Sequence, residues 1–209
     1  MGNTREASNS EVVSTRQQRI AELASQQLKQ GITSLNHHLD LTWMLEAWRR
    51  TQKQKAAGVD GQTAEAYEQD LEGNLEDLIH RAKSGLYRAP AVKRVYLPKG
   101  KGEVRPIGIP TLEDKVLQRA CLMLLEPIYE QEFYDFSYGF RPRRKAHDAL
   151  AALEEALRSL GGGWIIDADV EKFFDRVDRR QLQEFVRKRV RDGVIKRLIG
   201  KWLRAGVME

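Results

Sequence analysis

The chain has 209 residues, 41% of them hydrophobic and 31% charged, enough to bury one core but short of what two full domains usually need. It carries no apolar run near the roughly 18 residues that cross a bilayer and no apolar N-terminal stretch of the kind an export signal uses, so a soluble, cytoplasmic protein with no membrane partner is expected. A single cysteine, Cys121, excludes an internal disulfide framework and any cysteine-built zinc site, and inside the apolar run Ala120 to Leu124 it reads as core packing.

The net charge of +5 is unevenly spread. Acids outnumber bases up to residue 80, and from Arg81 to Arg105 the lone acid is Glu103. Further basic stretches follow at Arg141, Arg143, Arg144 and Lys145, and from Arg176 to Arg191. Such segregation is the footprint of a phosphate-backbone partner, although solvated helix faces give similar runs.

In chain order, residues 1–34 are Ser-, Gln- and Glu-rich with weak helical spacing at Ile20, Leu23 and Leu28, which predicts a polar arm, partly helical or disordered. Asp40 can cap a helix with Leu41, Leu45 and Trp48 on one face, running out near Lys55. After the glycine-punctuated loop Ala57 to Gly61, Thr63 can cap one helix carrying Tyr67, Leu71, Leu75 and Leu78 as far as Ser84-Gly85. Val92 to Leu97 and Glu103 to Ile109 read as a basic hairpin. Thr111 opens a long apolar helix from Glu113 to about Phe133, which Pro127 should kink or break late. The loop Ser137 to Pro142 leads to a helix with Ala146, Leu150, Leu153 and Leu157, ended by Gly161-Gly162-Gly163. Trp164 to Val170 reads as a strand. Two amphipathic helices follow, one with Leu182, Phe185 and Val186, the other with Val194, Leu198, Ile199 and Trp202. The fold class is α+β.

On a strand, Asp167 and Asp169 would share one face, with Ile166, Ala168 and Val170 on the other. Carboxylates at the end of an apolar strand suit a hard cation such as Mg²⁺; an edge strand with solvated acids would read the same. His147 and the pair His37-His38 have no spacing that completes a metal site.

Three segments in order, Arg105-Pro106-Ile107-Gly108-Ile109-Pro110-Thr111 with Asp114-Lys115, Ser137-Tyr138-Gly139-Phe140-Arg141-Pro142 with Ala146-His147, and Asp169-Val170-Glu171-Lys172-Phe173-Phe174-Asp175, resemble the first three sequence blocks of bacterial group II intron reverse transcriptases and maturases. Gly58-Val59-Asp60-Gly61 and Tyr87-Arg88-Ala89-Pro90 resemble that family's N-terminal extension. The resemblance covers about residues 36–209.

It implies a right-hand polymerase fold: the arm at 1–34, a helical extension with a lid loop at 35–90, fingers at 91–160 and the start of the palm at 161–209. The implied activity is RNA-directed DNA synthesis, in which a primer 3′-hydroxyl attacks the α-phosphate of a dNTP, together with intron RNA binding and splicing. By the same resemblance Asp169, with the Val170 carbonyl, is the metal-binding aspartate for Mg²⁺, or Mn²⁺ in its place. Phe174, or Phe173 if the register slips by one, is the aromatic gate beneath the nucleotide sugar. Lys99 and Arg105 clamp the triphosphate, Gly58, Val59, Asp60 and Gly61 form a lid over the template, and Arg141, Arg143 and Arg144 contact RNA, while Tyr138 and Phe140 anchor their own loop.

The chain departs from the family in containing no Tyr-x-Asp-Asp and no Pro-Gln-Gly motif. A truncated chain, inactive alone, is therefore expected, with the rest supplied by another polypeptide or absent from a gene fragment. Expected partners are template or intron RNA, a DNA or RNA primer, dNTP, and a second copy or the C-terminal polymerase portion in trans, covering an apolar patch at Leu182, Phe185 and Val186. The rival readings are an RNA-binding splicing module in which the aspartate is idle, and an RNA-templated RNA polymerase.

Overall fold

The computed structural model describes residues 2–27, 30–53, 56–100 and 102–208, with the side chains of 2–6 left aside. Nine helices and three strands follow one another among them: α1 (Gly2–Gln26), α2 (Leu41–Arg50), α3 (Ala64–Glu68), α4 (Leu71–Ser84), β1 (Val92–Gly100), β2 (Glu103–Ile109), α5 (Leu112–Tyr129), α6 (Ala146–Ser159), α7 (Phe173–Arg176), α8 (Arg179–Arg189), α9 (Gly193–Trp202) and β3 (Val207–Met208), with a 3-10 turn at Asn36–His38. Helices plus one small sheet make this an α+β fold.

The core is built where α1, α2 and α5 pack together and α4 closes on α2. Trp43, Met44 and Ala47 of α2 and Val116, Leu117, Ala120 and Leu124 of α5 are fully buried, each large apolar side chain contributing roughly 1.5–3 kcal/mol. Cys121 lies in this core, and burial pushes its thiol well above the ordinary range. Asp40 caps α2, its Oδ1 accepting from the Trp43 amide at 2.9 Å, and Thr63 and Thr111 cap α3 and α5 in the same way.

In residues 1–34, expected as a polar arm, partly helical or disordered, α1 runs from Gly2 to Gln26. Its inward stripe is Val13, Gln17, Ile20 and Ala24, spaced four, three and four, and the polar member has a purpose. Pro127 has no N–H for the Met123 carbonyl one turn back; Gln17 Nε2 donates to that oxygen instead, at 2.9 Å. Helix α5 then ends at Tyr129, short of Phe133. Leu28, the last apolar position expected to join the stripe, lies outside the described residues, as does Lys55; α2 ends earlier, at Arg50.

The single helix expected from Thr63 to Ser84 is two. α3 stops at Glu68, Asp70 starts α4, and Asn74 Nδ2 takes up the Tyr67 carbonyl at 3.0 Å. The break turns Tyr67 onto Trp48, with ring centroids 5.3 Å apart.

The hairpin forms as expected, antiparallel from Lys93↔Ile109 to Gly100↔Glu103, with a bulge between Pro98 and Gly100. β3 adds to its base in parallel, Val92↔Val207, so the sheet order is β2-β1-β3. The expected strand Trp164 to Val170 does not form: the segment has no regular structure and is exposed throughout. A strand needs a neighbour for its backbone N–H and C=O groups, and none pairs with it among the described residues. α8 is less bare than expected, because Val186 packs on the core and only Phe185, 60% exposed, projects, with Lys188 over its ring. The larger uncovered apolar surface runs instead from Leu150 to Phe174. No described helix is long and apolar enough to cross a membrane.

Candidate nucleic-acid interface

The hairpin is held at its root by buried polar contacts. Asp114, at the start of α5, accepts from the Tyr87 hydroxyl and, at 2.7 Å, from Trp202 Nε1 of α9. Burial raises its carboxyl above the ordinary range even against those two hydrogen bonds. Lys201 Nζ donates to the carbonyls of Gly85 and Tyr87. The chain entering β1 is thereby tied to α5 and α9 together.

A cavity of about 850 Å³ opens between the hairpin and the outer face of α5. Cross-strand partners share a face, so the pairs Val95↔Ile107 and Leu97↔Arg105 put Arg105 on the side where Leu97 and Ile107 line this cleft. Across it stand Lys115, Gln118, Arg119 and Leu122 of α5, at the three- and four-residue spacing of one helical face. Arg119 and Gln118 lie outside the basic stretches of the sequence; what marks them is the polar stripe opposite the core residues of α5. Lys99, at the bulge, lies 3.4 Å from Glu103 and is half exposed.

Ala56, just before the loop at 57–62, lines the same cleft. Lys115 Nζ donates to the Ala56 carbonyl at 3.0 Å, and Asp60 Oδ1 accepts from the Gln62 amide at 3.2 Å, with Val59 half-buried between. Gly58 is buried by close approach: a Cβ there would lie 2.6 Å from Thr111 Cα and 2.7 Å from Thr111 N. Gly61, at φ +66, has open space around it, so freedom of movement belongs to the loop's far end. Gly58→Ala is expected to destabilise the fold by about 2 kcal/mol, because neither backbone can yield cheaply; a urea midpoint equal to wild type would contradict the contact.

The basic stretches divide into structural and outward cations. Arg141, expected at RNA, serves its own loop: its guanidinium binds Glu130 at 3.0 Å and the carbonyls of Tyr134 and Ser137 at 2.9 Å, and its side chain is 7% exposed. Arg143 is exposed, and Arg144 lies over Tyr138 near Asp135. Phe140 anchors nothing; it is fully exposed at φ 57. Arg189 donates to the Gln27 and Ala24 carbonyls at the end of α1, at 2.7 and 2.8 Å, and its Nε lies 2.8 Å from Glu132 without hydrogen-bond alignment.

Asp167 and Asp169 are exposed in the irregular segment before α7. Lys172 takes the left-handed conformation at φ 52, and the rings of Phe173 and Phe174 meet edge to face, 5.3 Å apart, with Phe174 88% exposed. No hydrogen bond or ion pair joins the Asp169 side chain to the hairpin among the described residues. His147 is exposed on α6, and His37 and His38 stack on each other with centroids 3.8 Å apart.

The basic hairpin thus stands across the cleft from a polar face of α5. Residues 97–206, more than half of the chain and including the hairpin's return strand, match the reverse transcriptase (RNA-dependent DNA polymerase) family. The chain belongs to that family. It is 40% identical over 170 residues to the protein YkfC of Escherichia coli strain K12, an alignment covering 78% of this chain and 45% of that protein. It is 32% identical over 197 residues to the group II intron-encoded protein LtrA of Lactococcus lactis, covering 92% of this chain and 32% of LtrA. A nuclear intron maturase of Arabidopsis thaliana is 33% identical over 102 residues, covering 47% of this chain and 14% of the maturase. The chain therefore spans less than half the length of these relatives. The resemblance to group II intron reverse transcriptases and maturases holds.

Proposed function

We propose that this chain is the fingers and opening palm of a group II intron-type RNA-directed DNA polymerase that also binds intron RNA as a maturase, in a bacterial cytoplasm. The observation that carries the proposal is the cleft lined by Arg119 of α5, with Arg105 on the hairpin face that turns toward it, inside the segment that matches the polymerase family. A strand lying there meets cations from both walls, the arrangement that neutralises a phosphate backbone.

Within this reading each residue has a task. Lys99 and Arg105 grip the triphosphate of a dNTP, the guanidinium being suited to a bidentate hold. Arg143 and Arg144 contact RNA beside the loop that Arg141 braces. Gly58 to Gly61 cover the template, pivoting at Gly61. Phe174, whose ring is not spent on the core, forms the wall beneath the sugar, with Phe173 against its edge. The primer, DNA or RNA, enters beside Asp169.

Asp169 and the Val170 carbonyl are oxygen donors of the kind Mg²⁺ or Mn²⁺ accepts. Among the described residues no three His, Cys, Asp or Glu gather as a metal site, so these two atoms fit one ligand corner and not the paired-ion arrangement of in-line phosphoryl transfer. The chain alone is accordingly expected to make no detectable DNA, and to need either the remaining polymerase portion or a second copy across the apolar surface from Leu150 to Phe174.

RNA binding tests the cleft. Replacing Arg105 and Arg119 by glutamine should flatten the dependence of log binding constant on log salt by about 1.4, at about 0.7 per lost single-strand phosphate contact. A wild-type slope in the variant would remove the groove from the proposal.

A further inference from the structure

Outside the cleft described above, α8 and α9 enclose a second cavity of about 330 Å³. Its wall on α8 is Gln183, Val186 and Arg187; its wall on α9 is Lys196, Arg197, Ile199 and Gly200, with Arg204 just past the end of that helix. Gln183 and Arg187 are spaced by four, as are Lys196 and Gly200, which puts each pair on one helical face. Among the described residues no acid lines the cavity.

The cations are not used to hold the fold. Arg197 alone is engaged, its Nη2 donating to the Lys83 carbonyl at 2.9 Å. Among the described residues no hydrogen bond or ion pair occupies the side chains of Arg187, Lys196 or Arg204. Nor does helix electrostatics account for the set. Arg187 and Arg204 sit where the C-terminal ends of their helices favour positive charge, but Lys196 stands in the first turn of α9, where the macrodipole disfavours it. Gly200 is the buried floor: a methyl group built there would meet Arg204 Nη2 at 3.7 Å and Gln183 Nε2 at 3.8 Å, so its missing side chain keeps two donor nitrogens open around one point.

We infer that this cavity is a phosphate-binding site for the backbone of an RNA strand, a second contact separate from the cleft between the hairpin and α5. Arg187, Lys196 and Arg204 supply charge, and Gln183 adds a neutral donor that suits an oxygen without demanding a second negative charge. The site lies beside the end of α4, through the Arg197 contact with Lys83. It deepens the proposed function and rests on it, since the ligand is the same RNA, but it makes its own prediction.

The test is fluorescence anisotropy of a labelled single-stranded RNA against the whole chain over a salt series. Arg187→Gln, Lys196→Gln and Arg204→Gln together should flatten the log-log slope by about 2, three contacts at about 0.7 each. Arg187→Lys with Arg204→Lys should keep most of the slope, because the charge survives. A control variant, Arg19→Gln with Arg158→Gln and Arg180→Gln, changes net charge equally at sites away from the cavity. Loss confined to the cavity variant, with unchanged circular dichroism and melting, supports the site. An equal loss in the control reduces it to bulk charge and overturns it. So does a wild-type slope in the cavity variant. If the Arg105 and Arg119 pair lowers the slope while the cavity variant does not, the second site fails and the cleft stands; if neither lowers it, both fall.

Discussion

Asp192→Ala is expected to lower the unfolding free energy by about 4 kcal/mol, a large part of the roughly 5–15 kcal/mol that holds a domain of this size. Asp192 is 1% exposed and joins two distant parts of the chain. Oδ1 accepts from the Val194 and Ile195 amides and caps α9, at 2.9 and 3.0 Å. Oδ2 accepts from the amides of Leu35 and Asn36 and from Asn36 Nδ2, at 2.8, 2.9 and 2.9 Å. Alanine would remove a helix cap, worth about 0.5–2 kcal/mol, and strand the Leu35 amide in a buried place, at about 1–3 kcal/mol more. Asp192→Asn keeps an acceptor oxygen and should lose about half as much. A urea titration decides, and a variant within about 0.5 kcal/mol of wild type would show the carboxylate to be dispensable.

The same network sets the response to acid. Burial alone would raise the Asp192 carboxyl, but the Leu35, Asn36 and Ile195 amides hold it below the ordinary range. Glu46, likewise buried, is brought from 4.5 down to about 2 by Arg49, Arg50 and Ser10. Both groups have folded-state values below their unfolded ones, so the unfolded chain binds more protons as the solution is acidified. The contribution of Glu46 is complete above about 4.5 and is lost as pH falls toward about 2, and that of Asp192 is lost in the same direction on acidification. His38 acts earlier with the same sign: burial and the neighbouring His37 and Arg16 lower its ring from 6.5 to about 4, and stability drains across that interval. Thermal melts from pH 7 to pH 3 should decline in these two windows, and His38→Gln should remove the upper one.

Asp169→Ala is expected to reduce DNA synthesis at least about a thousandfold when the C-terminal polymerase portion of a relative is supplied, the scale on which loss of one member of a catalytic set acts. RNA binding should change little, because the cations proposed to meet phosphate lie on the hairpin, on α5 and between α8 and α9. Unchanged folding is also expected, since the carboxylate is exposed and engages no described partner.

The fold was legible wherever a segment carries its own explanation. The hairpin alternates cations with strand-forming residues, and Asp40, Thr63 and Thr111 announce the helices they cap. α1 was obscured because Gln17 occupies the middle of its inward stripe, and its reason for being polar is a carbonyl freed by Pro127, 110 positions away in the sequence. The strand at 164–170 failed the other way: its pattern is a strand's, but a pattern does not provide a neighbour. In the site, counting cations located the basic face without sorting its members. Arg141 and Arg189 look like RNA contacts on paper and are consumed by carbonyls and carboxylates, whereas Lys196 and Arg204 lie in mixed surroundings and emerge only when α8 and α9 are set side by side.

Primer extension on an RNA template, run with this chain, with the C-terminal polymerase portion of a relative, and with both, tests the polymerase reading most directly. Synthesis appearing only in the mixture and vanishing with Asp169→Ala is the predicted result. RNA binding by this chain with no synthesis in the mixture, or synthesis indifferent to Asp169→Ala, would contradict it and leave an RNA-binding splicing module.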